Sequence, residues 1–92
     1  EFEDGTVRQD AALFLDMDLS ILGAPTEVFD AYEAAVRREY DWVNDADWRA
    51  GRAAVLKSFL ARPRIFHTDI FAERFEAQAR ENMAGSLAKL SG

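Results

Sequence analysis

Apolar residues recur at three- and four-residue steps along most of the chain, which is the spacing that aligns side chains on one face of an α-helix. Together with local start and stop residues, this period predicts helices at 10–22, 27–43, 47–61 and 69–89. Residues 1–9 are polar and lack the period, so we expect a flexible N-terminal segment there. No segment alternates apolar and polar residues as a strand does. The pattern therefore predicts an all-α domain, with about four helices in a small bundle.

Residues that begin, end or interrupt helices refine this prediction. Caps for the first, second and fourth helices are offered by Asp10, Thr26 and Thr68. The third helix cannot continue through Pro63, which lacks the backbone N–H that a helix needs. Gly51 lies inside that helix, where glycine costs about 1 kcal/mol relative to alanine. We therefore expect Gly51 to mark a close helix crossing.

Two carboxylates lie in the otherwise apolar stretch Phe14–Gly23 of the first predicted helix. With about 100° between successive residues, Asp16 shares a polar edge with Ser20, whereas Asp18 projects among apolar side chains. An ionised carboxylate that is dry and unpaired costs several kcal/mol or more. Asp18 is therefore expected to face the core and to be paired, hydrogen-bonded or bound to a metal. Because the two acids diverge by about 200°, they are poorly placed to act together on one bond.

Each acid also has an ordinary structural interpretation. Asp16 can simply be solvated or hydrogen-bonded on its polar edge. Asp18 can form a structural ion pair, with three arginines as the candidate partners, and buried charges in natural cores are commonly paired. These candidates are Arg37, Arg38 and Arg52.

Other residues with chemical potential have similarly plain explanations. The single histidine, His67, lies in a predicted turn and is expected at the surface or packed in that turn. Most aromatic residues fall on inward stripes, so core packing explains them without a ligand. Four arginines could bind a phosphate if they gathered on one side, but salt bridges are the simpler expectation. They are Arg49, Arg52, Arg62 and Arg64.

Composition narrows the class of protein further. A chain of 92 residues with 49% hydrophobic residues suits one small domain with a single core. The absence of cysteine excludes disulfides, thiolate nucleophiles and cysteine-based zinc sites. A net charge of −6 disfavours non-specific binding to nucleic acid or anionic lipid. No apolar run approaches the roughly 18 residues of a membrane span. A cytoplasmic protein without nucleic-acid or membrane partners is expected.

An ordered series of motifs covers nearly the whole chain. In chain order it comprises FLDMDLSILG at 14–23, Tyr32, REY at 38–40, WRAGR at 48–52, VL at 55–56, FL at 59–60 and AREN at 79–82. The series resembles the C-terminal half of a group of predicted metal-dependent phosphohydrolases of the HD superfamily. The resemblance implies an all-helical, HD-domain-like C-terminal portion. It also implies hydrolysis of a phosphoester by metal-activated water.

The same resemblance implies a place for the metal. In this superfamily a divalent metal is held by a His, a His-Asp pair and a final Asp in a D-x-D-L-type context. That implies Asp18 as the final ligand, with Asp16 as second choice. Because the chain has no His-Asp doublet, we expect stable metal binding and activity only when the missing N-terminal half is present. The chain is accordingly expected to be a fragment, or a relative that lost this half.

A non-enzymatic helical interaction or dimerisation module is the alternative. In this case a second copy of the chain, or another protein, would cover the apolar first helix, and Asp18 would form a buried ion pair. Both interpretations predict that something outside these 92 residues covers the first helix. An upstream reading frame that encodes a His followed by a His-Asp pair would favour the enzyme.

Overall fold

Helices account for most of the protein in the computed structural model, which describes residues 5–91 and the side chains of residues 11–91. The helices are α1 (Gly5–Leu19), α2 (Thr26–Glu39), α3 (Asp45–Leu60) and α4 (Asp69–Ser91), and a 3₁₀ turn, Ser20–Gly23, directly follows α1. Within the described residues there is no strand, which confirms the all-α prediction of a small bundle. None of the described helices is long and apolar enough to cross a membrane.

The first helix begins earlier and ends earlier than the predicted range 10–22. Residues 5–9 are helical although the sequence predicted no helix there, residues 1–4 lie outside the described part of the chain, and the flexibility of 1–9 stays a prediction. Neither proline nor a further glycine interrupts residues 6–10, and the helix therefore extends through them. Asp10, predicted to precede the first helix as its cap, lies inside α1.

Tertiary and local polar contacts shorten α2 relative to the predicted range 27–43. The guanidinium of Arg37 donates to the backbone carbonyls of Tyr40 and Val43, at 2.9 Å and 3.1 Å. These bonds stabilise a non-helical connection, because they satisfy carbonyls that a continuing helix would have used. Asn44 then caps α3, its side-chain oxygen accepting a first-turn backbone N–H at 2.8 Å.

The hydrophobic core is built by every element that follows α1. Its fully buried apolar residues come from the 3₁₀ turn, α2, α3, the connection before α4, and α4 itself. They are Leu22, Phe29, Leu56, Ile65, Phe66, Ala79 and Met83. From residues 11–19 of α1, only Leu19 packs against this cluster, and it is half-buried. The core is thus largely complete without the apolar side chains of α1.

The 3₁₀ turn is held closely against α4. A Cβ atom on Gly23 would lie 2.6 Å from the Cβ of Phe75, so only glycine fits at this crossing. The buried amide of Asn82 donates to the carbonyls of Leu22 and Ala24, at 3.0 Å and 2.7 Å. These two contacts fix the path of the chain between α1 and α2.

Two residues that the sequence marked as structural signals have different roles. Thr26 lies in the first turn of α2, and its hydroxyl donates to the side-chain oxygen of Asn82 at 3.0 Å instead of capping the helix. Gly51 is exposed, and a Cβ atom there would meet nothing within 4 Å. The prediction that Gly51 marks a helix crossing is wrong, because the close approach is at Gly23.

The close approach at Gly23 makes a testable prediction. We expect Gly23→Ala to lower the free energy of unfolding by about 1–3 kcal/mol, because the added methyl group overlaps backbone and Cβ atoms of Phe75. Urea denaturation followed by circular dichroism measures the change. Gly51→Ala is the matched control, and we expect it to stabilise α3 by up to about 1 kcal/mol. Equal stability of Gly23→Ala and the wild type would contradict the prediction.

Candidate functional site on helix α1

The two carboxylates of α1 lie in opposite environments, and the prediction had them reversed. Asp16 is fully buried, at 0% exposure, whereas Asp18 is exposed. The prediction that Asp18 faces the core is therefore wrong. The row that meets the bundle runs through Ala12, Asp16 and Leu19, at helical steps of four and three residues. The large apolar side chains that were expected to point inward lie mostly on the other side of the helix.

Asp16 binds the amino end of α4. One carboxylate oxygen accepts the backbone N–H of His67 at 2.7 Å. The other oxygen accepts the backbone N–H of Thr68 at 2.7 Å and its hydroxyl at 2.6 Å. The Thr68 hydroxyl in turn accepts the backbone N–H of Phe71 at 3.4 Å, which confirms Thr68 as the cap of α4. Asp16 is thus part of a cap that links two helices about fifty residues apart in the sequence.

These hydrogen bonds determine the ionisation of Asp16. Burial raises the pKa of the carboxyl group, but hydrogen bonds from His67 and Thr68 favour the charged form, and the result is a pKa below the ordinary value of 3.8. Asp16 is therefore a carboxylate at neutral pH. Since both of its oxygens already accept hydrogen bonds, this geometry argues against Asp16 as a metal ligand and confirms the hydrogen-bonded interpretation.

Several large apolar side chains of α1 are in contact with solvent, and Phe14 lies nearly opposite Asp16. Phe14 is 66% exposed, Leu15 50% and Met17 57%, and Leu13 is also exposed. Phe14 and Asp18 are four residues apart, so they are neighbours on this side of the helix. We refer to these five residues, Leu13, Phe14, Leu15, Met17 and Asp18, as the outward face of α1. A group of exposed large apolar side chains on one helix is typical of an interaction surface.

The arginines proposed as partners of Asp18 are largely engaged elsewhere. Arg52 forms a largely buried ion pair with Glu33, with 3.0 Å between Nε and Oε1. Its hydrogen bond to Glu33 raises the pKa of Arg52. Arg37 donates to two backbone carbonyls of the connection between α2 and α3, and Arg38 is exposed. The suggested pairing of Asp18 with Arg37 or Arg52 is therefore wrong.

The remaining candidate residues behave as the simpler interpretation predicted. His67 is exposed in the turn before α4 and contributes its backbone N–H to the cap. Three of the four candidate phosphate-binding arginines form salt bridges, and the fourth donates to a backbone carbonyl. The pairs are Arg49 with Asp45, Arg52 with Glu33 and Arg64 with Asp69, while Arg62 donates to Ile65.

A groove of about 290 Å³ lies between α2, α3 and α4, and none of residues 11–19 of α1 lines it. Of its three cations, Arg49 pairs with Asp45 and Lys89 pairs with Asp30 at 3.6 Å, whereas Arg37 donates to the backbone carbonyls of Tyr40 and Val43. Within residues 11–91, no three side chains of His, Asp or Glu lie close enough together to hold a metal ion.

Comparison of the chain with protein-family models, curated proteins and solved structures finds no match.

The inward role of Asp16 was hidden from sequence reasoning because its donors come from the far end of the chain. The capping signal of Thr68 was visible, and it correctly located the start of α4. Nothing in that local signal indicates that the threonine hydroxyl also donates to a carboxylate of another helix. Only the packing of α1 against the turn at residues 67–68 reveals this contact.

The capping role of Asp16 leads to a prediction about stability and its pH dependence. At pH 7, Asp16→Asn should lower the free energy of unfolding by about 2–3 kcal/mol, because an amide nitrogen would face N–H donors in place of a charged acceptor. Since folding lowers the pKa of Asp16, its contribution is present above pH 3.8 and is lost as the pH falls through the folded-state value.

Urea titrations of both proteins between pH 7 and pH 2 test this expectation. The stability difference between the wild type and Asp16→Asn should narrow in acid. Asp18→Asn provides the control, since substitution of an exposed residue is expected to change stability by no more than about 0.5 kcal/mol. A difference that stays constant over the whole pH range would show that the charge of Asp16 does not stabilise the fold.

Proposed function

We propose that this chain is the C-terminal helical portion of a cytoplasmic, HD-type metal-dependent phosphohydrolase, and that Asp18 is one ligand of its divalent metal. The observation that carries this proposal is the outward face of α1, where a carboxylate lies beside exposed apolar side chains. The ordered motifs from residue 14 to residue 82 support the same relationship. The remaining ligands, a His and a His-Asp pair, would come from the N-terminal half.

The exposure of Asp18 suits a ligand of a metal site that another part of the protein completes. A metal site needs several ligands that converge from different segments, so each contributing side chain must be within reach of the others. Asp16 is committed to the amino end of α4, whereas Asp18 lies on the side of α1 that a further segment can approach. Carboxylate oxygen is also a suitable donor for hard divalent metals such as Mg²⁺ or Mn²⁺.

The apolar members of the outward face provide a means of assembly. Docking of the N-terminal half over Phe14, Leu15 and Met17 would remove apolar surface from water, at about 25 cal/mol for each Å² buried. Such docking would bring the ligands of the other half toward Asp18. When bound, the metal would supply an activated water for attack on a phosphoester.

The role of Asp18 can be tested in the protein expressed from its complete reading frame. We expect Asp18→Ala to lower metal-dependent hydrolysis of a generic phosphoester by at least about 100-fold and to lower the bound metal measured by elemental analysis, because a ligand is lost. Asp41→Ala, at an exposed acid of the α2–α3 connection, is the matched control and should change neither. Full activity and metal content in Asp18→Ala would rule out the ligand assignment.

A second candidate function, a non-enzymatic dimerisation module, is favoured by the same exposed apolar residues. A second copy of the chain could cover the outward face of α1 and bury Phe14 and Met17. This candidate needs no metal. The net charge of −6 favours a protein partner over nucleic acid or anionic lipid for such a surface.

Sedimentation of the metal-free 92-residue chain tests the second candidate. If a dimer forms through α1, Phe14→Glu should dissociate it, because a buried unpaired carboxylate is costly. Trp42→Glu is the matched control, since Trp42 is a 76% exposed aromatic residue outside α1 and its substitution should leave the dimer intact. A monomer at every concentration, or equal dissociation by both substitutions, would count against dimerisation through this face.

A further inference from the structure

The geometry points to Asp16 as a positioning residue for Asp18. We propose that its hydrogen bonds to His67 and Thr68 fix the rotation of α1 about its own axis, and thereby direct Asp18 away from the bundle. The functional meaning of this inference rests on the proposed role of Asp18, while the structural effect can be measured separately.

Hydrophobic packing by itself would favour a different rotation of α1. The largest apolar side chains of the helix, Phe14, Leu15 and Met17, are each at least half exposed. Turning the helix by one residue, about 100°, would move Leu15 or Met17 to the position that Asp16 occupies. Burial of such a side chain is worth about 1.5–3 kcal/mol. The observed rotation therefore needs an interaction that opposes the hydrophobic pattern.

Asp16 supplies that opposing interaction. It is the one fully buried residue among residues 11–19, and its three hydrogen bonds come from two adjacent residues of a single turn. Because one oxygen accepts from His67 and the other from Thr68, the plane of the carboxylate is fixed as well as its position. A helix held at one side chain in this way has little freedom to rotate.

The spacing of the two acids converts this attachment into a direction for Asp18. Residues two apart on a helix lie about 200° from each other, so a side chain at position 18 points outward when position 16 points inward. Asp16 therefore does not need to contact the metal or the substrate. It would act on them only through the orientation of α1.

Distance measurements between two spin labels test this inference in the 92-residue chain. The natural sequence lacks cysteine, so Met17→Cys on α1 and Glu81→Cys on α4 introduce unique exposed attachment points. We expect a single narrow distance distribution with Asp16 present. In Asp16→Asn, the distribution should broaden or shift by up to about 10 Å, the approximate diameter of a helix with its side chains.

Substitutions at Thr68 keep the inference testable if Asp16→Asn does not fold. Thr68→Val removes the hydroxyl that donates to Asp16 and accepts from the Phe71 N–H, but it retains the carboxylate and both backbone donors, so it should cause a smaller broadening. Thr68→Ser retains the hydroxyl and should keep the narrow distribution. Asp18→Asn should leave the distances unchanged. An unchanged distribution in folded Asp16→Asn would overturn the positioning role. If Asp16→Asn does not fold, an unchanged distribution in Thr68→Val would overturn it.

The complete protein provides a second readout for the same variants. There, Asp16→Asn should raise the Kd for Mn²⁺ by about tenfold or more, whereas Thr68→Ser should leave it near the wild-type value, as expected of a residue that orients a ligand. If Asp18→Ala lowers the bound metal, an unchanged Kd in Asp16→Asn would overturn the inference. The two proposals fail separately: full activity of Asp18→Ala removes the ligand role, while the spin-label distances still report whether Asp16 orients α1.

Discussion

The hydrogen bonds between Asp16 and the amino end of α4 decide how the first helix meets the rest of the protein. A buried carboxylate without donors would cost several kcal/mol, and the backbone N–H groups of His67 and Thr68, just before α4, have no partner within that helix. Each group satisfies the other, and the positive end of the α4 dipole adds to the attraction. The apolar side of α1 faces outward as a consequence of this match.

The remainder of the bundle depends little on the apolar residues of α1, because among residues 11–19 only Leu19 packs against the core. Gly23 and Asn82 hold the 3₁₀ turn against α4, and the buried cluster is drawn from the elements that follow α1. The protein is thus a helical core with an additional helix whose exposed side is unusually apolar. This arrangement separates a part that provides stability from a part that is available to a partner.

Both proposed functions use the outward face of α1 and differ in what covers it. In the phosphohydrolase, the covering segment would bring metal ligands to Asp18, and the apolar residues would hold the two halves together. In the dimerisation module, a second copy would provide the cover. Asp18 distinguishes them chemically, because a carboxylate benefits from a metal at an assembled interface but is costly there without one.

The sequence by itself determined the helical architecture, the cap at Thr68 and the salt bridges of Arg49, Arg52 and Arg64, because these depend on local spacing or on the ordinary pairing of charged side chains. Only the tertiary structure decided which side of α1 is buried. Hydrophobic periodicity identifies an apolar stripe but not what lies opposite it, and the donors for Asp16 are about fifty residues away. The close helix contact lies at Gly23 and not at Gly51, because it too depends on how distant segments pack and not on the local sequence. In each case, an interaction between distant segments outweighed a preference that could be read locally.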